Sequence, residues 1–145
     1  MRALIQRVSS ASVVVNKKLI SEIDHGLLVL LGIKSDDTQK DRDYVIRKVL
    51  NMRIFSDDKD KMNNSVVDVG GSILLVSQFT LYGDCTKGNR PSFIESMAPD
   101  RAEAFYNDFL TILRGRYSKV KEGVFGAHMT VSLINDGPVT ILIDS

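Results

Sequence analysis

Apolar and polar positions along the chain fall into two periods, one of about two residues and one of about 3.6. Arg2 to Val15 is rich in β-branched residues and reads as a strand, Asn16-Lys17-Lys18 as a turn, and Leu19 to Ile23 as a returning strand. Leu27 to Ile33 is short and almost continuously apolar, the pattern of a strand covered on both faces. Thr38 followed by Asp41 resembles a capping box, with Asp in place of the usual Glu. Beyond it Val45, Val49 and Met52 keep helical spacing, with Ile46 and Leu50 beside them. A second helix is expected from Pro99, with Asp100 and Glu103 suited to the positive end of its dipole. Its apolar stripe is Ala102, Phe105, Tyr106, Phe109 and Leu113, and Gly115 and Tyr117 lie near its end. Between the helices, Ser72 to Phe79 reads as a central strand. Three more strands are expected at Lys119 to Phe125, Met129 to Ile134 and Val139 to Ile143.

Strands outnumber helices, and each helix provides a long crossover. The expected fold is therefore α/β: one domain over residues 1–145, with a strongly curved, partly barrel-like mixed sheet and two main helices. Strand order does not follow from this pattern.

Composition narrows the setting. The longest apolar run, Leu27 to Leu31, is far short of the roughly 20 residues of a membrane span. The opening segment lacks the form of a signal peptide, being interrupted by Arg2, Gln6 and Arg7. The single cysteine, Cys85, excludes an intrachain disulfide, and a cytoplasmic location is expected. Net charge is +1, from 19 basic and 18 acidic residues, so any nucleic-acid contact must come from a local patch.

Residue types alone do not mark a catalytic centre. Two histidines, His25 and His128, and one cysteine offer no metal-ligand spacing, and neither a metal nor another cofactor is expected. Cys85 sits in a Gly-rich polar loop, Tyr82 to Pro91, where a nucleophile would still need a base or a lowered pKa. Lys87 and Arg90 of that loop could hold phosphates and Phe93 could stack on a base, although a solvated loop explains them equally well. The carboxylates of Asp57, Asp58 and Asp60, interleaved with Lys59 and Lys61, read as an exposed turn. Two polar interruptions stand out instead: Ser77-Gln78-Phe79-Thr80-Leu81 at the end of an apolar strand, and Asn135-Asp136-Gly137-Pro138-Val139-Thr140 as a turn before the last strand. Turn chemistry accounts for both, but strand ends are also where α/β sheets gather ligand sites.

These segments, SQFTL at 77–81 and NDGPVT at 135–140, resemble the two signature motifs of the D-aminoacyl-tRNA deacylases. The likeness extends over the whole chain, including MRALIQRVSSASV at the start, GNRPSF at 88–93 and FGAHM at 125–129. The resemblance implies hydrolysis of the ester in D-aminoacyl-tRNA, and in glycyl-tRNA, by a homodimer with active sites at the subunit interface. Ser77, Gln78, Phe79 and Thr80 are then expected to line one side of the pocket, with Phe79 and Thr80 at the catalytic point. Gly137 and Pro138, joined by a cis bond, reach in from the partner with their carbonyls toward the substrate's α-carbon. Arg7 corresponds to an arginine that holds the Gly-Pro pair, and Phe125 and Met129 to the pocket wall. Backbone amides near Phe79 and Thr80 would stabilise the oxyanion, at about 3–4 kcal/mol per donor. The ribose 2′-hydroxyl would help activate water, so no protein base is required. L-aminoacyl esters would be refused because their side chain meets a wall of main-chain carbonyls.

Two rival readings follow from the residues. One is a small thiol or serine hydrolase that uses Cys85 or a serine on some other ester, and unchanged deacylation in Cys85→Ala rules out the thiol. A non-catalytic RNA-binding module predicts no turnover at substoichiometric protein, and the near-neutral charge argues against it.

Overall fold

The computed structural model describes all 145 residues, Met1–Ser145. Strand β1 (Arg2–Val15) is the spine of the molecule. Along one side it pairs antiparallel with the full length of β8 (Thr130–Asp144). Its other side is shared, its first half pairing with β3 (Gly26–Gly32) and its second half with β2 (Lys18–Ile23). Asn16 and Lys17 both have positive φ, 50° and 64°, which closes the tight turn into β2 as two-residue hairpins require.

From β3 the chain crosses through helix α1 (Gln39–Asn51) and a small hairpin of β4 (Phe55–Ser56) and β5 (Met62–Asn64). It then returns parallel to β3 as β6 (Ser72–Ser77). A second crossover through helix α2 (Pro99–Arg116) brings β7 (Val120–Glu122) parallel to β6. The sheet curls until β2 reaches β7. There the Ser21 hydroxyl donates to the Glu122 carbonyl at 2.7 Å and Lys121 Nζ to the Glu22 carbonyl at 2.6 Å. The result is an α/β fold with a mixed, nearly closed barrel-shaped sheet and two helices.

This curl explains the continuous apolar runs. Leu27, Val29, Leu31, Ile73 and Leu75 point to the core under the helices, while Leu28, Leu74 and Val76 point into the barrel. Both faces are buried, so alternation disappears. In β1 the faces change over part-way along: Ala3 and Ile5 serve the helix side, whereas Val8, Ala11 and Val13 serve the barrel. The odd residue lies between Val8 and Ser10, where the register with β8 shifts.

The helix starts follow local chemistry. The Asp41 carboxylate accepts from the Thr38 backbone N–H at 2.8 Å and from its hydroxyl at 2.7 Å, and those bonds hold its pKa down at about 2. Pro99 opens α2 at its first position, and Phe109 and Leu113 on its inner face are fully buried.

Several expectations are corrected. The stretch expected as one strand from Ser72 to Phe79 ends at Ser77, and Phe79–Tyr82 forms a 3₁₀ turn. The Gln78 N–H makes the last bond to β3, at Leu31, whose strand ends at Gly32. Past that point the neighbouring chain pairs elsewhere, the Ile33 carbonyl accepting from Met97 N–H. The strand expected from Lys119 to Phe125 is confined to Val120–Glu122. The two strands expected at Met129–Ile134 and Val139–Ile143 are one, β8, with the NDGPVT segment inside it. In that segment Gln6 pairs with Thr140 and Val8 with Asn135, so five residue steps on β8 face two on β1 and the excess bulges out.

Candidate active site

At the end of β6 lies a cavity of about 730 Å³, within the usual size of a small-ligand site. Three pieces of chain enclose it. Ser77, Gln78 and Phe79 form the first; Met97 to Pro99, leading into α2, form the second; and Phe125 to Met129 form the third. Each is tied to the sheet by backbone bonds. Met97 N–H donates to the Ile33 carbonyl at 3.0 Å, and Gly123 N–H to the Leu75 carbonyl at 2.9 Å. The Tyr106 hydroxyl, buried and with its pKa raised by desolvation, donates to that same Leu75 carbonyl at 3.1 Å, while its ring packs against Phe125 with centroids 5.6 Å apart. Met129 is set by close packing, since a Cβ on Gly123 would lie 2.7 Å from its sulfur.

The 3₁₀ turn at the rim has a chemical consequence. Its first bond runs from Leu81 N–H to the Gln78 carbonyl at 3.3 Å. The opening amides of such a turn, here Phe79 and Thr80, have no partner within it. Ser96 braces the turn from outside, its hydroxyl donating to the Phe79 carbonyl at 3.2 Å. Phe79 is 57% exposed, which leaves a large apolar ring open at the mouth, contacted edge-on by Phe93 at 4.9 Å. Thr80 stands just outside the lining, exposed, and its hydroxyl accepts from the Gln78 side-chain amide. The one ionisable side chain in the lining, His128, hydrogen-bonds to neither Ser77 nor Ser96.

Arg7, Gly137 and Pro138 are not part of this cavity. They form a second constellation at the β8 bulge. Arg7 is buried opposite the bulge; its Nε donates to the Asp136 carbonyl at 2.9 Å and lies 3.2 Å from that residue's carboxylate, and its Nη1 donates to the Ile54 carbonyl at 2.6 Å. Asn135 clasps the loop from within: Val139 N–H donates to Asn135 Oδ1 at 2.7 Å, and Asn135 Nδ2 donates to the Val139 carbonyl at 3.2 Å. Gly137 has φ of 142°, which an L side chain rarely adopts, and the Gly137–Pro138 peptide is cis. Both residues are exposed.

Comparison with known proteins decides the family. The model of the D-Tyr-tRNA(Tyr) deacylase family matches residues 4–144. The chain belongs to that family. Among curated relatives, the D-aminoacyl-tRNA deacylase of Thermosipho melanesiensis is 55% identical and that of Clostridium acetobutylicum 51%, each alignment covering 100% of this chain and 97% of the relative. Among solved structures, a chain described as c-Myc DNA Unwinding Element Binding Protein superposes with a TM-score of 0.96 at 49% identity, covering 100% of this chain and 99% of that one. A probable eukaryotic D-amino acid tRNA deacylase shares the fold, with a TM-score of 0.85 at 20% identity over 99% of this chain and 98% of that one.

Of the residues singled out in the sequence of this deacylase-family chain, the fold gathers Ser77, Gln78, Phe79, Phe125 and Met129 around one cavity. Sequence reasoning missed Ser96, and it named Asn135 within the NDGPVT turn without giving it a role of its own. Asn135 carried a signal, since Asn beside Asp-Gly-Pro commonly bonds its own backbone further on. Ser96 carried none, because its partner Phe79 is 17 residues away.

Proposed function

We propose that the protein hydrolyses the ester joining a D-amino acid, or glycine, to the 3′-terminal ribose of tRNA, and leaves L-aminoacyl esters intact. The observation that carries this reading is a preformed, largely apolar pocket whose rim is a helical turn with free amides, in a chain of this family that has no nucleophile–base pair in the lining. The ester carbonyl oxygen sits at the amides of Phe79 and Thr80, where two fixed donors meet the charge that develops as water adds. Water's oxygen bonds to the carbonyl carbon, and the ribose oxygen leaves with the proton. The 2′-hydroxyl beside the ester assists that water, which a pocket without a protein base requires.

Selectivity, on this reading, belongs to Gly137 and Pro138 of a second subunit, whose carbonyls receive the substrate ammonium and leave no space for an L side chain. Two observations support a homodimer. The exposed Gly137–Pro138 segment does not line its own chain's cavity. In addition, β8 has no strand on its second edge, and Leu133, Ile134 and Leu142 are exposed along it, an open edge that calls for cover. The activity is assigned to the cytoplasm, where charged tRNA is used; no helix is long and apolar enough to cross a membrane.

The test is deacylation of D-Tyr-, L-Tyr- and Gly-tRNA side by side, with EDTA present. D-Tyr and Gly should be released and L-Tyr retained. Equal rates on the two tyrosyl enantiomers would refute the proposal.

A further inference from the structure

The loop between the 3₁₀ turn and Phe93 is not used by the chemistry above. Its base and the pocket mouth are one piece of structure. Asp84 and Ser92 exchange two backbone bonds of 2.8 Å, which close the loop. Phe93, next to that bridge, packs on Phe79 at the rim. Gly83 is so close that a Cβ there would lie 3.1 Å from the Phe93 ring and 3.6 Å from Pro91. A seven-residue excursion from such a bridge extends at most about 12 Å, so the tip stays close to the mouth.

The tip carries two cations, Lys87 and Arg90, both exposed, and neither makes an ion pair or hydrogen bond within the chain. The acidic residues nearest in sequence, Asp84 and Glu95, keep their charge but pair with neither cation. Asp84 accepts from the Thr86 backbone N–H at 2.9 Å and from its hydroxyl at 3.1 Å. Glu95 lies on the side of Arg2, whose charged form it stabilises. With a net charge of only +1, the chain has no general attraction for a polyanion, so two unpaired cations on the loop beside the mouth are a local feature.

A pocket that takes the terminal aminoacyl nucleoside obliges the rest of the strand to leave across this rim, with its first phosphates outside. We infer that the Asp84–Ser92 loop is a phosphate clamp for the single-stranded 3′ end of tRNA, with Lys87 and Arg90 holding phosphodiester oxygens just beyond the pocket. This inference rests on the function proposed above and names where that substrate's backbone is held.

The experiment compares D-tyrosyl-tRNA with the D-tyrosyl ester of adenosine, which has no phosphate. Each single-strand phosphate contact steepens the logarithmic salt dependence by about 0.7, so two contacts account for a roughly sevenfold fall in kcat/KM between 50 and 200 mM salt. The double variant Lys87→Gln/Arg90→Gln should lose that component on tRNA through a higher KM at unchanged kcat. It should match the parent on the adenosine ester, which also shows that its pocket is folded. Lys87→Arg/Arg90→Lys should keep most of the tRNA response. An unchanged salt slope in the Gln variant overturns the clamp, and so does an equal loss on both substrates, which would mean that the loop merely props Phe93 against Phe79. A parent protein inactive on both substrates would instead sink the proposed function, and the clamp with it.

Discussion

Around Ser77 the chain is placed by parallel strands buried on both faces, by backbone bonds from Ile33 and Leu75, and by rings packed against one another. Around Gly137 it is placed by polar contacts: one buried guanidinium, one asparagine side chain, and strand pairing on either side of a bulge. The pocket is held by core packing and by backbone bonds from its walls to the sheet. The bulge is a deviation from the sheet, and specific hydrogen bonds must maintain it. Positions in the first region should tolerate apolar exchange of similar volume, whereas the second depends on the identity of a few polar atoms.

The sharpest break in this contrast should come from Arg7→Ala. Hydrogen bonds to a charged group are worth about 1.5–3 kcal/mol each, and loss of this side chain leaves the Ile54 and Asp136 carbonyls without it. Because the carboxylate of Asp136 is half-exposed, the cost falls short of that for a fully buried ion pair. We expect about 3 kcal/mol in urea unfolding, with rejection of L-Tyr-tRNA weakened or turnover lost. Arg7→Lys should restore little, since one ammonium cannot span two carbonyls. A stable, fully selective Arg7→Ala protein would show that the bulge holds itself.

Tyr106→Phe probes the pocket with a smaller perturbation. It removes one of the two bonds to the Leu75 carbonyl but keeps the ring against Phe125. The expected loss is about 1 kcal/mol by thermal unfolding, with activity within twofold, because Gly123 N–H still satisfies that carbonyl. A large loss of activity would mean that hydrogen bonding, and not packing, sets this side of the site.

The smallest effect is expected from Thr80→Ala. Its hydroxyl is exposed and meets only the Gln78 amide, a donor and not a base, so it is not activated as a nucleophile. Deacylation should persist within about tenfold, as for loss of one ordinary hydrogen bond, with stability unchanged. Mass spectrometry of quenched turnovers should show no acyl group on Thr80, and finding one there would reverse the assignment of this segment.

What could be read from the chain alone was whatever local chemistry settles. The capping box at Thr38–Asp41, the proline opening α2 and the helical stripes depend on neighbours within four residues, and the structure has them where the pattern put them, except that α1 stops at Asn51 and Met52 is already extended. The doubly buried strands were legible because a continuous apolar run of that length has few other homes. The motif likeness also pointed correctly to the family. Tertiary structure decided where elements stop and what meets. Strand β6 ends at Ser77 because β3 runs out beside it, a fact absent from the residues of β6 itself. The Asn-Asp-Gly-Pro run has the residues of a turn, yet β1 pairs with the chain on both sides of it and makes one strand with a bulge. Ser96 reaches Phe79, and Phe125 and Met129 come to share a cavity with Ser77, only because two crossovers bring the same sheet edge together. Local hydrogen bonds and periodicity act over one or two turns of chain, whereas strand partners and pocket neighbours are fixed by contacts between distant segments, which no window of sequence contains.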